Sequence, residues 1–217
     1  MKRITYGIGG GLLLLAVMTC NRIIPFALYV FAAALHELGH IWAAKRLKIK
    51  LKSVRIGIFG AKIETDERLI SYKSELILAI AGPAANLLTA AIALAIAKLI
   101  GCRPEALLDG AAELLTSGQS GVAGYIGFFS ASSFAHAATN LMPIKRLDGG
   151  RALYCTVAAI SNERIADRVL TAATAVSLFI IWTASLYLML RISSGIGIYV
   201  FAACIFMTSL RRNGAGV

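Results

Sequence analysis

Long runs of apolar residues, separated by short polar stretches, dominate the pattern of the chain. A membrane-spanning helix needs about 20 consecutive, mostly apolar residues. Six segments of this kind cover residues 4–21, 23–44, 76–97, 121–143, 169–190 and 192–210. The pattern therefore predicts an all-α polytopic membrane protein with six transmembrane helices, organised as one membrane-embedded domain over residues 1–217.

One stretch after the second predicted span has a different period. Val54, Ile56 and Ile58 alternate with other residue types, and Gly60 interrupts the run. Alternation with a period of two is typical of a β-strand, so residues 49–64 are predicted to form a small β-hairpin on the cytoplasmic side. The edge of this hairpin could accept an extended peptide as an added strand. Alternatively, it is a structural cap that contacts no peptide.

Composition and charge support the assignment to the membrane. Hydrophobic residues make up 58% of the chain and the mean hydropathy is +0.75. A soluble domain of this length could not bury so many apolar residues in its core. The net charge of +11 could indicate nucleic-acid binding, but its distribution favours another cause. If the six spans alternate, 18 of the 22 Lys and Arg residues fall on one side and four on the other. Because the positive side is cytoplasmic, we expect a multi-pass protein of the cell membrane with both termini in the cytoplasm and no nucleic-acid partner.

The second predicted span contains a cluster of ionisable residues. His36 and His40 are four residues apart, a spacing that places both imidazoles on one helix face within reach of one metal ion. Glu37 lies beside them, where it could act as a base toward metal-bound water. Ionisable side chains inside a membrane segment are energetically costly and usually functional, so this cluster is the candidate site.

Two further polar motifs are predicted to lie at a similar depth. At a rise of 1.5 Å per residue, the histidine cluster lies roughly 10 Å inside the cytoplasmic face, and Asn86 of the third span reaches a comparable level. Asn86 could equally form a hydrogen bond between helices. The fourth span returns to the same face at Asp148, where Gly149 and Gly150 permit a sharp turn that aims the carboxylate back toward the membrane.

A catalytic zinc ion typically has three protein ligands and one open position, so the histidine pair needs a third ligand. Asp148 is the favoured candidate because of its depth and its glycine-flanked position. It could instead cap a helix or pair with Arg151. His136 is the rival ligand, but it lies three turns outward of Asp148 if the helix is continuous, so a hydrogen-bonding or packing role is favoured for it.

These motifs resemble the site-2 protease family of intramembrane zinc metalloproteases. The resemblance is carried, in order along successive spans, by His36 to His40, Gly82 to Asn86, and Asn140 to Gly150. The predicted layout of the chain is similar to that of the six-span, sporulation-factor-processing branch of that family. Some members of this branch carry a cytoplasmic regulatory domain after the last span, and no such domain is expected here.

The resemblance implies a role for each matched residue. His36, His40 and Asp148 would bind Zn²⁺, and Glu37 would be the general base. Asn140, with Asn86 as a second candidate, would stabilise the substrate carbonyl or oxyanion. The implied reaction is cleavage of a peptide bond within or beside a transmembrane segment of a membrane-bound substrate, near the cytoplasmic face of the bilayer.

Two alternatives use the same polar residues. A metal-ion transporter or channel would place them along a permeation path, but the fifth and sixth predicted spans contain no acidic residue and no histidine to continue it. A non-catalytic homologue that only binds membrane helices would lack a catalytic residue, and none is missing from the motifs.

Overall fold

Six helices and two strands make up the part of the chain that the computed structural model describes, namely residues 23–49, 51–57, 60–65 and 71–192. In chain order they are α1 (Ile23–Arg46), β1 (Leu51–Gly57), β2 (Gly60–Thr65), α2 (Tyr72–Leu99), α3 (Pro104–Ser117), α4 (Val122–Asn140), α5 (Asp148–Ile160) and α6 (Glu163–Ile192). The first predicted span, 4–21, lies outside the described residues. So does the sixth, 192–210, apart from its first residue.

Three of the described helices are long and apolar enough to cross a membrane. They are α1, α2 and the segment Glu163–Ala184 of α6, which correspond to the second, third and fifth predicted spans. The fourth predicted span corresponds to α4, which has 19 residues but is not among these three. The chain is therefore a membrane protein, and the count of six spans stays a prediction.

Local sequence signals explain where the helices begin and end. The Ser71 side chain accepts a hydrogen bond from the backbone N–H of Ser74 (3.2 Å), an N-cap that satisfies a donor at the start of α2. Pro104 occupies the first turn of α3, where a missing N–H is tolerated, and Gly118 ends that helix at φ 81°. At the end of α1, the Arg46 guanidinium lies 5.2 Å from the Trp42 ring, a cation–π contact.

The described part of the chain divides into two compact units, the first ending at Asn140 and the second beginning at Leu141. In the first unit, α1 packs against α2 and α4, while α4 also packs against α2 and α3. The crossing of α1 and α2 is very close at Gly39, where an added Cβ would lie 2.5 Å from the Ala81 carbonyl oxygen and 2.7 Å from the Ala85 Cβ. This backbone-to-backbone approach, of the kind small residues permit in membranes, brings the histidine cluster of α1 against α2.

The two strands of the first unit pair antiparallel. Their register joins Val54 to Ile63 and Gly57 to Gly60, with one irregularity between Leu51 and Ser53. They occupy the segment in which the alternating pattern predicts a hairpin, while residues 58–59 between them lie outside the described part of the chain. Strand β2 also contacts α1, so the strand pair lies beside the helix that carries the histidines.

In the second unit, α5 packs against α6, and the loop of residues 141–147 lies on α6. Ile144 is fully buried against Leu178, and the Lys145 backbone N–H donates to Thr174 Oγ1 (3.2 Å). Thr174 is itself buried. The loop that leads to Asp148 is therefore fixed by apolar and polar contacts with α6.

The predicted sharp turn at Gly149 and Gly150 is wrong. Helix α5 begins at Asp148, and both glycines are buried in its first turn. A Cβ at Gly149 would collide with the Leu141 carbonyl oxygen, and one at Gly150 with that of Ile144. These positions lack side chains because the preceding loop crosses the start of α5 at backbone contact distance, not because the chain turns there.

Candidate metal centre

The two histidines of α1 converge on one point. His36 and His40 are 3% and 7% exposed, their rings are nearly perpendicular at 80°, and their Nε2 atoms lie 3.1 Å apart. Two nitrogens bound at 2.0–2.1 Å to a tetrahedral zinc ion would lie about 3.3 Å apart. The pair is therefore spaced to share one metal ion through the Nε2 atoms.

The backbone of α2 orients the second imidazole. His40 Nδ1–H donates to the Leu78 carbonyl oxygen at 2.7 Å. A carbonyl oxygen can only accept, so this bond places the proton on Nδ1 and leaves the Nε2 lone pair for a metal ion. Such a partner for the non-ligating nitrogen is the usual companion of a metal-binding histidine.

Gly82 of α2 lies directly against both imidazoles. A Cβ at this position would lie 2.7 Å from His36 Nε2 and would collide with His40 Nε2. One side of the histidine pair is therefore bounded by bare backbone. Gly82 belongs to the motif that ends at Asn86, and this contact explains why the motif needs its glycine.

The two asparagines named by the sequence occupy different environments. Asn86 is fully buried, and neither of its amide atoms has a hydrogen-bond partner within residues 23–49, 71–184 and 186–187, where side chains are described. The helix-to-helix hydrogen bond considered for Asn86 is thus not formed in this part of the chain. Asn140 is the last residue of α4, and its Nδ2 donates to the His136 carbonyl oxygen at 3.0 Å.

The remaining site residues lie on three helices. Glu37 is half-buried on the same turn of α1 as His36, and Asp148 is the half-buried first residue of α5 in the second unit. The His136 ring of α4 packs edge-on against His36, with centroids 5.0 Å apart. The predicted separation of three turns between His136 and Asp148 requires a helix that is continuous to residue 148, whereas α4 ends at Asn140.

Comparison with known proteins identifies the family of this chain. The family model of peptidase family M50 matches residues 24–184. The chain belongs to peptidase family M50. The fold is similar to that of the site-2 protease from Methanocaldococcus jannaschii, with a TM-score of 0.66 and 18% identity over 96% of this chain and 89% of that one. No curated protein matches the chain.

Membership of family M50 confirms the resemblance to the site-2 protease family and the intramembrane metalloprotease function predicted from the three motifs, while the six-span branch stays a prediction. It also disfavours the transporter alternative. The matched region begins before the histidine cluster and ends in α6, so it includes every site residue named above. Among these, His36, His40 and Asp148 have the donor types to bind a metal ion.

Two features of this M50 site were not assigned by the sequence. The Leu78 carbonyl is a backbone group on another helix, and no residue type signals its contact with His40. The approach of His136 to His36 could have been suspected, because His136 is a histidine in an apolar helix and such residues are usually functional.

A substitution at Gly82 tests whether its bare backbone is required. We expect Gly82→Ala to weaken metal binding by about 5- to 150-fold, because an extra methyl group in a tightly packed site typically costs about 1–3 kcal/mol. The measurement is zinc affinity of the purified protein by competition with a chelator. Gly121→Ala is the matched control, since a Cβ there meets nothing within 4 Å; equal affinities in both variants would contradict the expectation.

Proposed function

We propose that this M50 peptidase cleaves a peptide bond within or beside a transmembrane segment of a membrane-bound protein, using a zinc ion bound by His36, His40 and Asp148. The observation that carries the proposal is the buried pair of Nε2 atoms 3.1 Å apart. The bond from His40 Nδ1 to the Leu78 carbonyl supports it, because that bond leaves Nε2 available to the ion.

The donor set favours zinc over other ions. Two imidazoles and one carboxylate form the ligand set of several catalytic zinc sites, in which the fourth position stays open. Asp148 begins α5, and the positive end of the helix dipole stabilises an ionised carboxylate there. When bound, zinc would acidify a water molecule and polarise the scissile carbonyl.

Glu37 and the asparagines would perform the remaining steps. Glu37 accepts the proton of the attacking water and transfers it to the leaving amine, as a general base and then a general acid. The Asn140 amide, with Asn86 as a second candidate, donates a hydrogen bond to the negative charge that develops on the carbonyl oxygen. An amide nitrogen carries two hydrogens, so Asn140 keeps one for this purpose beside its bond to the His136 carbonyl.

The substrate must present an unwound segment, because a transmembrane helix engages its carbonyls in internal hydrogen bonds. The edge of the β1–β2 pair could hold such a segment as an added strand. Strand β2 contacts α1, which would bring an added strand toward the histidines. The distribution of Lys and Arg supports cleavage near the cytoplasmic face, with both termini in the cytoplasm.

Removal of the metal tests the assignment of zinc. We expect a chelator to abolish cleavage of a model transmembrane substrate by the purified, detergent-solubilised protein. Stoichiometric Zn²⁺ should restore cleavage, because the metal ion is needed to acidify the attacking water and to polarise the scissile carbonyl. Cleavage is followed by gel shift and mass spectrometry. Mg²⁺ is the control ion, since it prefers oxygen ligands. Restoration by Mg²⁺ and not by Zn²⁺ would contradict the proposal.

A further inference from the structure

Three aromatic rings extend from the metal centre along the contact between α1 and α4. The His136 ring lies 5.0 Å from the His36 ring at 84°, and 5.7 Å from the Tyr29 ring at 78°. Both arrangements are edge-to-face, the geometry that aromatic pairs prefer at these separations. One ring of α4 thus contacts two rings of α1 that are about two helical turns apart.

The sequence of α1 leaves space for this ring. Ala32 lies three residues after Tyr29 and four before His36, so all three residues share one helix face. Ala32 is fully buried, and its methyl group is the smallest side chain beyond glycine. A short side chain between Tyr29 and His36 on this face fits the observation that one ring of α4 contacts both of them.

A histidine ligand needs neighbours that fix its ring. The torsion about the Cβ–Cγ bond of histidine is broad and roughly two-fold, so the position of Nε2 depends on what surrounds the ring. For His40, the bond from Nδ1 to the Leu78 carbonyl provides an anchor. For His36, the ring of His136 provides an edge-to-face contact.

We propose that His136 is a positioning residue, which holds the His36 imidazole by ring packing in the orientation that presents Nε2 to the metal ion. This role rests on the proposed zinc site and goes beyond it, since His136 is neither a ligand nor a proton carrier in it. The contact that matters is the edge-to-face packing, so another flat ring of similar size serves in place of imidazole.

Three variants separate ring packing from other roles of His136. His136→Ala removes the ring, and His136→Phe keeps a ring but removes both nitrogens. Phe129→Ala is the matched control, because Phe129 also packs from α4 onto α1, against Phe31 with centroids 5.7 Å apart. This substitution removes a ring from the contact between the same two helices and changes no histidine.

The readouts are zinc affinity by chelator competition and the visible absorption of the Co²⁺-substituted protein, which reports ligand geometry. We expect His136→Ala to bind zinc about tenfold more weakly, the lower range for the loss of a partner that orients a metal ligand, and to change the Co²⁺ spectrum. His136→Phe should restore both properties to near those of the unmodified protein. Phe129→Ala should leave them unchanged.

Each contrary result has a defined meaning. Unchanged zinc affinity in His136→Ala would overturn the proposal, and so would a His136→Phe variant as weak as His136→Ala, because a nitrogen would then be required. A loss of affinity in Phe129→Ala equal to that in His136→Ala would also overturn it. The proposed zinc site fails separately, if the unmodified protein binds no zinc.

Discussion

Replacing Glu37 with Gln should lower the rate of cleavage by about 10²- to 10⁴-fold, the usual contribution of a general base, while the protein keeps its zinc. Gln has nearly the same shape as Glu but cannot accept the proton of the attacking water. Glu37 is half-buried on α1 beside His36, so the neutral amide fits the same space. The histidines and Asp148 are unchanged, and metal content should therefore equal that of the unmodified protein.

The experiment uses purified protein, a model transmembrane substrate and zinc analysis of the same samples. Glu105→Gln is the matched control, because Glu105 is an exposed residue in the first turn of α3 and undergoes the same chemical change. A Glu37→Gln protein that cleaves as fast as this control would exclude Glu37 as the base. A protein that loses its zinc would instead show that Glu37 contributes to metal binding.

Replacing Asp148 with Ala should weaken zinc binding by more than about 100-fold. Loss of a residue that only orients a metal ligand costs up to about 100-fold, and loss of a ligand itself should cost more. A site with only the two histidines would exchange its third protein ligand for water. Asp148 is the first residue of α5, where a carboxylate typically contributes only about 0.3–1 kcal/mol through the helix dipole, so the substitution should leave the helix largely intact.

Chelator competition measures this effect, and circular dichroism checks that the helices persist. Asp167→Ala is the control, since Asp167 is an exposed carboxylate on α6 in the same unit. The comparison with His136→Ala is the decisive one. A protein that keeps zinc without Asp148 but loses it without His136 would make His136 the third ligand.

Much of this architecture could be predicted from sequence, for physical reasons. Long apolar runs are sufficient to identify α1, α2 and α6, because a membrane helix must satisfy all its backbone groups internally. The histidine spacing is likewise sufficient to bring two imidazoles together, since residues four apart share a helix face. Both inferences depend only on periodicity within one segment, which the sequence displays directly.

Contacts between segments were predicted less well. Gly149 and Gly150 predict a turn because glycine permits one, yet in the structure they lie where the loop of residues 141–147 touches α5. The sequence shows that a side chain is missing but not which backbone occupies its place. The distance predicted between His136 and Asp148 holds only for a continuous helix, whereas the helix ends at Asn140, shortly before Pro143.

The close crossing of α1 and α2 has a consequence for the order of biosynthesis. Helix α1 leaves the ribosome first with both histidines, but the Leu78 carbonyl that orients His40 and the backbone at Gly82 belong to α2. Metal binding and folding are coupled wherever the ligands are arranged only in the folded chain. A nascent chain that ends before residue 82 therefore contains both histidines but lacks the Gly82 backbone that packs against them. A metal ion that they share would then be held in this geometry only once the two helices have paired.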